Sequence, residues 1–413
     1  MIITPVEHDA SNETPSPSEL LIKEARRRTR RRHTKVGAII FSAIVIVVAL
    51  VVIGVDTINR GASTGHDPGN TIAARLSSDN FTDLAGANTI ATAGNHIWVS
   101  SILTNSVAEF NSSNGALVRV INKKTYRIDS PGPMVVNNGD LWVTNDTNPS
   151  VTEINASTGK LVRVVTARPG GFGYITGIAA SGSDIWISGR AGHAGAVFEI
   201  NANTGALVRV IKAKADGFNI PDFSVPIVSA ANSAHVWVLN SNGGTITELN
   251  ARTGSLIRIL NARAGRSSTR NFSGPTSLAV NGSRLWVTDQ RSINHGSSAV
   301  SSIVEFNVNT GALIRIVNAK ADKIVHPQSV AVSGNRVWVL SVNASPVALS
   351  ITELNASNGM LVRVIKGSSG NLNDPVSLIV NGSRLLVLNI YSGQQGSVTE
   401  LNTNTGALLR VIK

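Results

Sequence analysis

Seven glutamates in this 413-residue chain are each followed by an arginine ten positions later. A carboxylate beside a guanidinium is a combination that either an active site or a structural ion pair can use. A reaction needs one unique constellation, whereas this one occurs seven times. We therefore interpret it as a cross-strand ion pair at the rim of a sheet, which contributes about 0–1 kcal/mol when exposed. The pairs are Glu109 with Arg119, Glu153 with Arg163, Glu199 with Arg209, Glu248 with Arg258, Glu305 with Arg315, Glu353 with Arg363 and Glu400 with Arg410.

Other residue types that carry chemistry form no recognisable motif. The chain has eight histidines, but no H-E-x-x-H, no histidine pair at metal-ligand spacing, no Asp-x-Asp calcium loop and no G-x-S-x-G elbow. It has no cysteine, which excludes disulfides, thiolate metal sites and a cysteine nucleophile. The glycine-rich stretch "GRAGHAG" (189–195) does not lead into a helix and so does not indicate a phosphate cradle. The sequence predicts no catalytic residue, no metal site and no cofactor.

Each ion pair spans one hairpin phrase, of which "VEFNVNTGALIRI" (304–316) is an example. A second apolar phrase precedes each hairpin and contains Trp98, Trp142, Trp186, Trp237, Trp286, Trp338 or, in the seventh copy, Leu386. A third apolar run and a glycine-containing turn come before that. Four short strands in each unit of 44–52 residues, seven times over, are typical of a β-propeller. The sequence therefore predicts an all-β, seven-bladed propeller of four-stranded antiparallel blades over residues 81–413.

Other repeat architectures fit the pattern less well. A β-solenoid has shorter rungs, helical repeats need a period of about 3.6 residues, and two sandwiches would not keep one register over seven units. Because a four-stranded blade cannot bury both apolar faces alone, the tryptophans are predicted to fill the spaces between blades. The glycine of each Thr-Gly or Asn-Gly is predicted to supply a positive φ to the hairpin turn.

These phrases resemble a known group of repeats. "GSRLWVTD" (282–289) with "SIVEFNVNTGALIRI" (302–316) is similar to the repeat of YVTN/NHL-like and streptogramin lyase-like β-propellers. The resemblance covers about residues 81–413 and implies the propeller fold. It also implies roles as binding modules, extracytoplasmic sensors, scaffolds or, in a few cases, lyases. Streptogramin lyases use Mg²⁺ and a His/Glu cluster, but His295 and His326 stand in different loops with no glutamate close by, so no catalytic residue is carried over.

The first 80 residues differ from the rest. Residues 1–35 form a polar, basic tail with eight Lys or Arg, predicted to be disordered and cytoplasmic. Residues 36–55 are 20 residues without a charge, long enough to cross about 30 Å of hydrocarbon. The positive-inside rule predicts a signal anchor there, with a linker at 56–80 and an extracytoplasmic propeller. A cleaved signal peptide is the alternative, although its apolar region is usually only about 7–15 residues long.

The chain carries a net charge of +12, of which residues 1–35 account for +3. Beside a membrane span, the basic cluster in that tail indicates contact with lipid head groups rather than nucleic acid. The remaining +9 is concentrated in loops that connect successive blades. In a propeller these connections share one face with the loops that follow the second strand of each blade, and loops carry binding more often than strands do. The predicted ligand-binding residues are Lys123, Lys124, Arg168, Arg190, His193, Arg263, Arg266, Asp289, Arg291, His295 and Tyr391.

Two functions follow from these observations. The first is a membrane-anchored, extracytoplasmic, non-catalytic binding or scaffold module for a protein or an anionic cell-surface polymer. The second is an extracytoplasmic lyase or hydrolase with a site at the mouth of the central channel. The inner-strand phrases, such as "TSLAVNG" (276–282), carry no carboxylate or histidine, which favours the first function.

Overall fold

The computed structural model describes residues 84–122, 126–166, 171–191, 194–212, 226–240, 244–261, 272, 274–290, 301–318, 324–342, 349–390 and 396–413. These residues form 28 strands in seven sheets. Each sheet has four strands that pair antiparallel in chain order, so every blade is made from one continuous stretch of sequence. The predicted seven-bladed β-propeller is confirmed.

The strands of blades 1–3 are β1–β4 (Ala87–Ala93, His96–Ser101, Ser106–Asn111, Leu117–Asn122), β5–β8 (Pro131–Asn137, Asp140–Asn145, Ser150–Asn155, Leu161–Val165) and β9–β12 (Ile175–Ser181, Asp184–Ala191, Ala194–Asn201, Leu207–Lys212). Blades 4 and 5 are β13–β16 (Pro226–Ala231, His235–Asn240, Thr245–Asn250, Leu256–Leu260) and β17–β20 (Pro275–Asn281, Arg284–Asp289, Ser302–Asn307, Leu313–Asn318). Blades 6 and 7 are β21–β24 (Pro327–Ser333, Arg336–Ser341, Ser350–Asn355, Leu361–Lys366) and β25–β28 (Pro375–Asn381, Arg384–Asn389, Ser397–Asn402, Leu408–Ile412), with one helical turn, α1 (Gly367–Gly370), between them.

The first strands of the blades line the centre of the ring. β1 packs against β5, and this continues blade by blade until β25 packs against β1. Blade 7 supplies its own fourth strand, and among the described residues no strand is exchanged between the ends of the ring. The Leu84 carbonyl joins the ends instead, because it accepts hydrogen bonds from the Gly396 N–H of blade 7 and the Ala87 N–H of blade 1, each 3.1 Å long.

Seven apolar clusters of described residues fill the seven spaces between neighbouring blades. Trp142 of blade 2, for example, packs with Ile185 and Phe198 of blade 3. All six tryptophans are buried, and each lies opposite the glutamate of its own blade, as the pairing of Trp286 with Glu305 shows. Their predicted place on corresponding second strands is confirmed.

The hairpin between the third and fourth strands owes its shape to two residues of the Asn-x-x-Thr-Gly phrase. In blade 5 the Asn307 side-chain oxygen accepts hydrogen bonds from the N–H groups of Asn309 (2.9 Å) and Thr310 (3.0 Å). Gly311 then adopts φ +71° and donates its N–H to the Asn307 carbonyl at 2.8 Å. Glycine takes this left-handed conformation without steric cost, which confirms the predicted role of the glycine.

The basic tail, the apolar segment 36–55 and the linker 56–80 lie outside the described residues. Among the residues that the structure does describe, no helix has the length and apolar character needed to span a membrane.

Candidate functional site

The strand directions give the ring two faces. All neighbouring strands within a blade are antiparallel, so the turns after the first and third strands leave the sheet at the same edge. We call that side the turn face. The connections after the second strand, and those that lead to the next blade, begin and end at the opposite side, which we call the loop face. Polar residues with structural roles gather near the turn face, and the connections between blades meet the ring at the loop face.

The repeated glutamates are buried near the turn face. In blade 5, Glu305 lies opposite Arg315, and Arg315 Nε is 2.5 Å from Glu305 Oε2. The pairing predicted from the spacing of ten is confirmed, but the glutamate side chain is 0% exposed instead of lying at an open rim. The corresponding Nε–Oε2 distances are 2.8 Å for Arg119 and Glu109, 2.6 Å for Arg163 and Glu153, 2.6 Å for Arg209 and Glu199, 3.0 Å for Arg258 and Glu248, 2.7 Å for Arg363 and Glu353, and 2.7 Å for Arg410 and Glu400.

Each of these arginines also reaches the next blade. Arg315 Nη2 donates to the Ser357 carbonyl in the hairpin turn of blade 6, at 2.8 Å. We call a glutamate, its strand-four arginine and the accepting carbonyl of the next blade an arginine latch. The other latches end on Ser157 (from Arg119, 3.0 Å), Asn203 (Arg163, 3.0 Å), Arg252 (Arg209, 3.2 Å), Asn309 (Arg258, 3.1 Å), Asn404 (Arg363, 2.6 Å) and Ser112 (Arg410, 2.7 Å).

The first residue of each second strand sets the charge that faces the buried glutamate. In blade 6, Arg336 Nη1 donates to Glu353 Oε1 (2.8 Å) and to the Thr403 carbonyl of blade 7 (2.5 Å). Glu353 therefore has two cationic partners, Arg336 and Arg363, and both arginines also donate to a backbone carbonyl of the next blade. Blades 5 and 7 repeat the arrangement with Arg284 and Arg384, and blades 1 and 4 place His96 and His235 beside the glutamate.

Blades 2 and 3 have Asp140 and Asp184 at this position, so their glutamates face a like charge. Burial raises the pKa of Glu153 to about 7; Arg163 opposes the shift, and the charge and hydrogen bond of Asp140 add to it. Burial likewise raises the pKa of Glu199 to about 7, opposed by the arginine of its latch and assisted by Asp184. These two latches therefore change charge close to neutral pH.

The channel mouth on the loop face is built from pairs that join neighbouring blades. The residue after a second strand meets the residues that lead into the next blade's first strand. Gln290 Nε2 of blade 5 donates to His326 Nδ1, at the start of blade 6, over 3.0 Å. Asp146 of blade 2 accepts a hydrogen bond from the Ile175 N–H of blade 3 and interacts with Tyr174. The channel mouth, as we use the term, comprises Asp146, Tyr174, Gln290 and His326.

Asp146 and Tyr174 influence each other's protonation. Burial raises the pKa of Asp146 to about 6, and the hydrogen bond from the Ile175 N–H offsets part of that effect. Partial burial and the charge of Asp146 raise the pKa of Tyr174 above its ordinary value. Titratable groups with shifted pKa values at the opening of a cleft are candidates for a functional site.

Backbone strain is concentrated on the loop face. Among the described residues, seven that are not glycine have a positive φ, and only Asn138 of these lies at the turn face. A side chain in this left-handed region costs about 1–2 kcal/mol, and such residues cluster at ligand sites and active sites. The six at the loop face are Asn105, Arg127, Ser130, His326, Asn371 and Asp374.

Two of the ligand-binding residues predicted from the sequence lie in the described part of the chain. Arg190 is exposed at the loop face, and its N–H donates to the Tyr174 carbonyl at 3.0 Å. Asp289 is buried, and its Oδ1 accepts a hydrogen bond from the Gly274 N–H at 2.9 Å. The remaining predictions fall outside the described residues and stay predictions: Lys123, Lys124, Arg168, His193, Arg263, Arg266, Arg291, His295 and Tyr391.

Sequence reasoning did not single out Asp146 or Tyr174. The one signal for Asp146 is that it breaks the repeat, because the corresponding positions of other described blades hold Ile102, Arg190, Gln290, Val342 and Ile390. Nothing in the sequence of blade 2 shows that the charge of this carboxyl acts on Tyr174 of blade 3. That interaction depends on how neighbouring blades are placed.

Two further features of the described residues concern ligands. No group of three or more histidine, aspartate or glutamate side chains among them is arranged to hold a metal ion. A polar pocket of about 320 Å³ opens at the turn face between blades 5 and 6, lined in part by Asn281, Arg284 and Asn335. Arg284 is already engaged there with Glu305 and the Ala356 carbonyl.

No protein-family model and no curated protein matches the sequence. The fold, in contrast, matches many solved structures. Hydrazine synthase from Kuenenia stuttgartiensis aligns with a TM-score of 0.59 and 14% identity, over 82% of this chain and 99% of that chain. The β-propeller domain of Cps50 (Swd1) from Myceliophteria thermophila aligns with a TM-score of 0.55 and 12% identity, over 77% and 96% of the two chains.

A protein from Desulfotomaculum acetoxidans, itself described as functionally unknown, aligns with a TM-score of 0.57 and 13% identity, over 77% of this chain and 95% of that chain. Identities this low show the fold alone. The chain is a seven-bladed β-propeller, an architecture that is consistent with a binding or scaffold module.

Proposed function

We propose that the protein is a membrane-anchored, extracytoplasmic β-propeller that binds an anionic surface polymer at its loop face without catalysing a reaction. The resemblance to YVTN/NHL-like repeats, whose members include extracytoplasmic binding modules, supports this assignment. The distribution of paired and unpaired charges along the propeller sequence supports it further.

The arginine latches account for the charges within the blades. All seven strand-four arginines lie within 3.0 Å of a buried glutamate, which offsets the charge of the arginine wherever the glutamate is ionised. Residues 36–413 carry +9, and the blade-to-blade connections together with their flanking residues hold twelve cations against five aspartates, or +7 of that surplus. The cations are Lys123, Lys124, Arg127, Arg168, Lys212, Lys214, Arg263, Arg266, Arg270, Lys320, Lys323 and Lys366.

These connections begin and end at the loop face. Strand β4 ends at Asn122 and β5 begins at Pro131, and the other connections leave and re-enter the ring at the same edge. A field of one sign raises the rate of association with an oppositely charged polymer. It also fades with salt, because screening acts over about 8 Å at physiological ionic strength. The surplus of cations in the connections that leave and re-enter the ring at this face is the single observation that carries the proposal.

The anchor is proposed on the apolar segment 36–55 and the eight basic residues before it. A flexible linker at 56–80 would give a mean reach of about 25–30 Å. Such a linker would keep the propeller within reach of the membrane surface.

Binding of dextran sulfate to the full-length chain in neutral detergent tests the proposal, with uncharged dextran as the reference polymer. We expect binding below physiological ionic strength, loss of binding above it, and none to dextran. Replacing Lys123 and Lys124 by glutamate should weaken binding strongly. The matched control replaces Lys160 and Arg252, which are exposed at the turn face, and should change binding much less. Equal losses in the two variants, or no binding at low salt, would overturn the proposal.

A further inference from the structure

The polar pocket at the turn face between blades 5 and 6 has a volume of about 320 Å³. Small-molecule binding sites have volumes of about 300–1,000 Å³, so this pocket lies at the lower end of that range. Its walls come from both blades: the turn at 281–284 belongs to blade 5, and Asn335, Ala356 and Ser357 belong to blade 6. The pocket is therefore large enough for one small ligand, which would contact both blades.

The wall of the pocket carries a surplus of positive charge. Glu305 receives Nη1 of Arg284 at one carboxylate oxygen and Nε of Arg315, at 2.5 Å, at the other. Arg284 lines the pocket, and Arg315 donates to the carbonyl of Ser357, which lines it too. None of the residues that line the pocket is acidic. Two guanidinium groups thus face one buried carboxylate, and this excess favours an anionic ligand.

Arg284 keeps the donors that suit a carboxylate. Its Nη1 makes both of its contacts, one with Glu305 and one with the Ala356 carbonyl at 3.0 Å. Its Nε and Nη2 have no hydrogen-bond partner among the described residues, and the side chain is 33% exposed. The Nε–H and Nη2–H groups of an arginine are parallel and match the two oxygens of a carboxylate. Arg284 can therefore bind a carboxylate without releasing Glu305.

A comparison of two similar junctions shows why polar groups are free at this one. Between blades 7 and 1, the Asn95 side chain accepts a hydrogen bond from the Ser112 hydroxyl at 2.8 Å and donates to Asn111 at 3.3 Å. In blade 6, Asn335 and Ala356 stand at the positions of Asn95 and Ser112, so the hydroxyl partner is missing. The exposed Asn335 amide has no hydrogen-bond partner among the described residues.

We propose that this pocket binds a carboxylate with neighbouring hydroxyl groups, as in a sugar acid. Nε and Nη2 of Arg284 donate to the two carboxylate oxygens, and the Asn335 amide and the Ser283 hydroxyl bind the ligand's hydroxyl groups. The carboxylate belongs either to a cyclic uronic acid or to an open-chain hydroxy acid, since both present the same groups. The site is at the turn face and does not depend on the polymer-binding surface proposed at the loop face.

Titration of the full-length chain in neutral detergent with D-glucuronate and with D-gluconate tests the site and distinguishes the two sources. The matched neutral probes are D-glucose and sorbitol. We expect at least one carboxylate to bind about tenfold more tightly than its neutral counterpart, because paired hydrogen bonds to a charged group contribute at least that factor. The carboxylate that binds more tightly identifies the source. No binding of either carboxylate, or equal binding of each with its neutral counterpart, would overturn the proposal.

Three variants locate the binding. Ser283→Trp fills the pocket from an exposed position and should weaken binding of the carboxylate by more than tenfold. Arg284→Lys keeps a positive charge beside Glu305 but removes the parallel pair of N–H groups, so it should weaken binding about tenfold. Asn335→Ala should weaken binding severalfold and leave urea unfolding unchanged, because the described residues give its amide no partner to lose.

The junction between blades 7 and 1 supplies the matched controls. Ser383→Trp and Arg384→Lys make the same changes at the equivalent positions and should leave the affinity for the carboxylate unchanged. Urea unfolding identifies any variant that fails to fold. Equal losses at the two junctions, or an unchanged affinity in folded Ser283→Trp and Asn335→Ala proteins, would overturn the proposal. Dextran sulfate binding should survive Ser283→Trp, which separates this result from the polymer test.

Discussion

Arg410, on the last strand of the chain, donates from Nη2 to the Ser112 carbonyl of blade 1 at 2.7 Å. The first and last blades are therefore joined by the same arginine latch that joins every other pair of neighbours. Arg384 adds a second contact to the same carbonyl. Among the described contacts, the junction that contains the chain ends has two arginines, whereas the junction between blades 2 and 3 has only Arg163.

The presence of a second arginine at only one of these junctions predicts that Arg163→Ala and Arg410→Ala lower the free energy of unfolding by different amounts. Arg163→Ala leaves the buried Glu153 facing Asp140, and removing one partner of a buried ion pair costs about 3–5 kcal/mol. Arg410→Ala should cost clearly less, because Arg384 remains 2.9 Å from Glu400. Urea unfolding of the two variants at a pH of about 8 measures both losses. Equal losses would show that the residue at the start of the second strand does not support the latch.

Stability should fall as the pH rises through neutrality. The ordinary pKa of a glutamate is 4.5, and Glu153 and Glu199 have values of about 7 in the folded protein. The folded state therefore binds protons that the unfolded chain has released, so this contribution is complete below pH 4.5 and is lost as the pH rises through about 7. Unfolding free energies measured across this window test the sign.

The variant Asp140→Asn should flatten that pH dependence. It removes the like charge beside Glu153, so the pKa of this glutamate should move back towards its ordinary range. Asp374→Asn, at the loop face and away from the latches, serves as the control and should keep the slope of the parent protein. A slope unchanged by Asp140→Asn would show that the charge of Asp140 does not contribute to it and that burial of Glu153 alone raises its pKa.

The turn glycines should tolerate substitution only where no arginine lies against them. Gly311 (φ +71°) and Gly334 (φ +55°) both have a positive φ, so alanine costs about 1–2 kcal/mol at either position. A Cβ at Gly311 would also lie 2.5 Å from Cδ and from Nη1 of Arg258, whereas nothing lies within 4 Å of one at Gly334. Gly311→Ala should therefore destabilise more than Gly334→Ala in urea unfolding, and Gly311→Val more still. Equal effects would mean that Arg258 moves aside freely.

Protease added to intact cells should remove the propeller and leave the N-terminal tail protected. This outcome follows from the uncharged segment 36–55 and the basic residues before it. Permeabilised cells, in which both sides are accessible, provide the control. A propeller that resists protease in intact cells but not in permeabilised ones would reverse the proposed topology.

The spacing of residues in the sequence predicts the structural features that lie within one blade. The spacing of ten between Glu305 and Arg315 is sufficient to pair them across a hairpin, and the recurring second-strand phrases, six with a tryptophan and one with Leu386, are sufficient to count the blades. Burial of the glutamates could not be predicted in this way, because the neighbouring blade covers them. The same reason explains why the reach of Arg315 to Ser357 and the interaction of Asp146 with Tyr174 were missed. Both depend on how blades are placed side by side, which short-range spacing does not encode.

A ring in which each blade is one continuous stretch of chain has a consequence for how that chain can change over evolution. Each repeat of the sequence coincides with one complete sheet and carries both an arginine that reaches forward and a turn carbonyl that accepts the arginine of the preceding blade. Duplication or loss of one repeat in a gene would therefore add or remove a whole blade without leaving half a sheet at either end. Propellers closed by an exchanged strand lack this freedom, because their first and last repeats share one sheet.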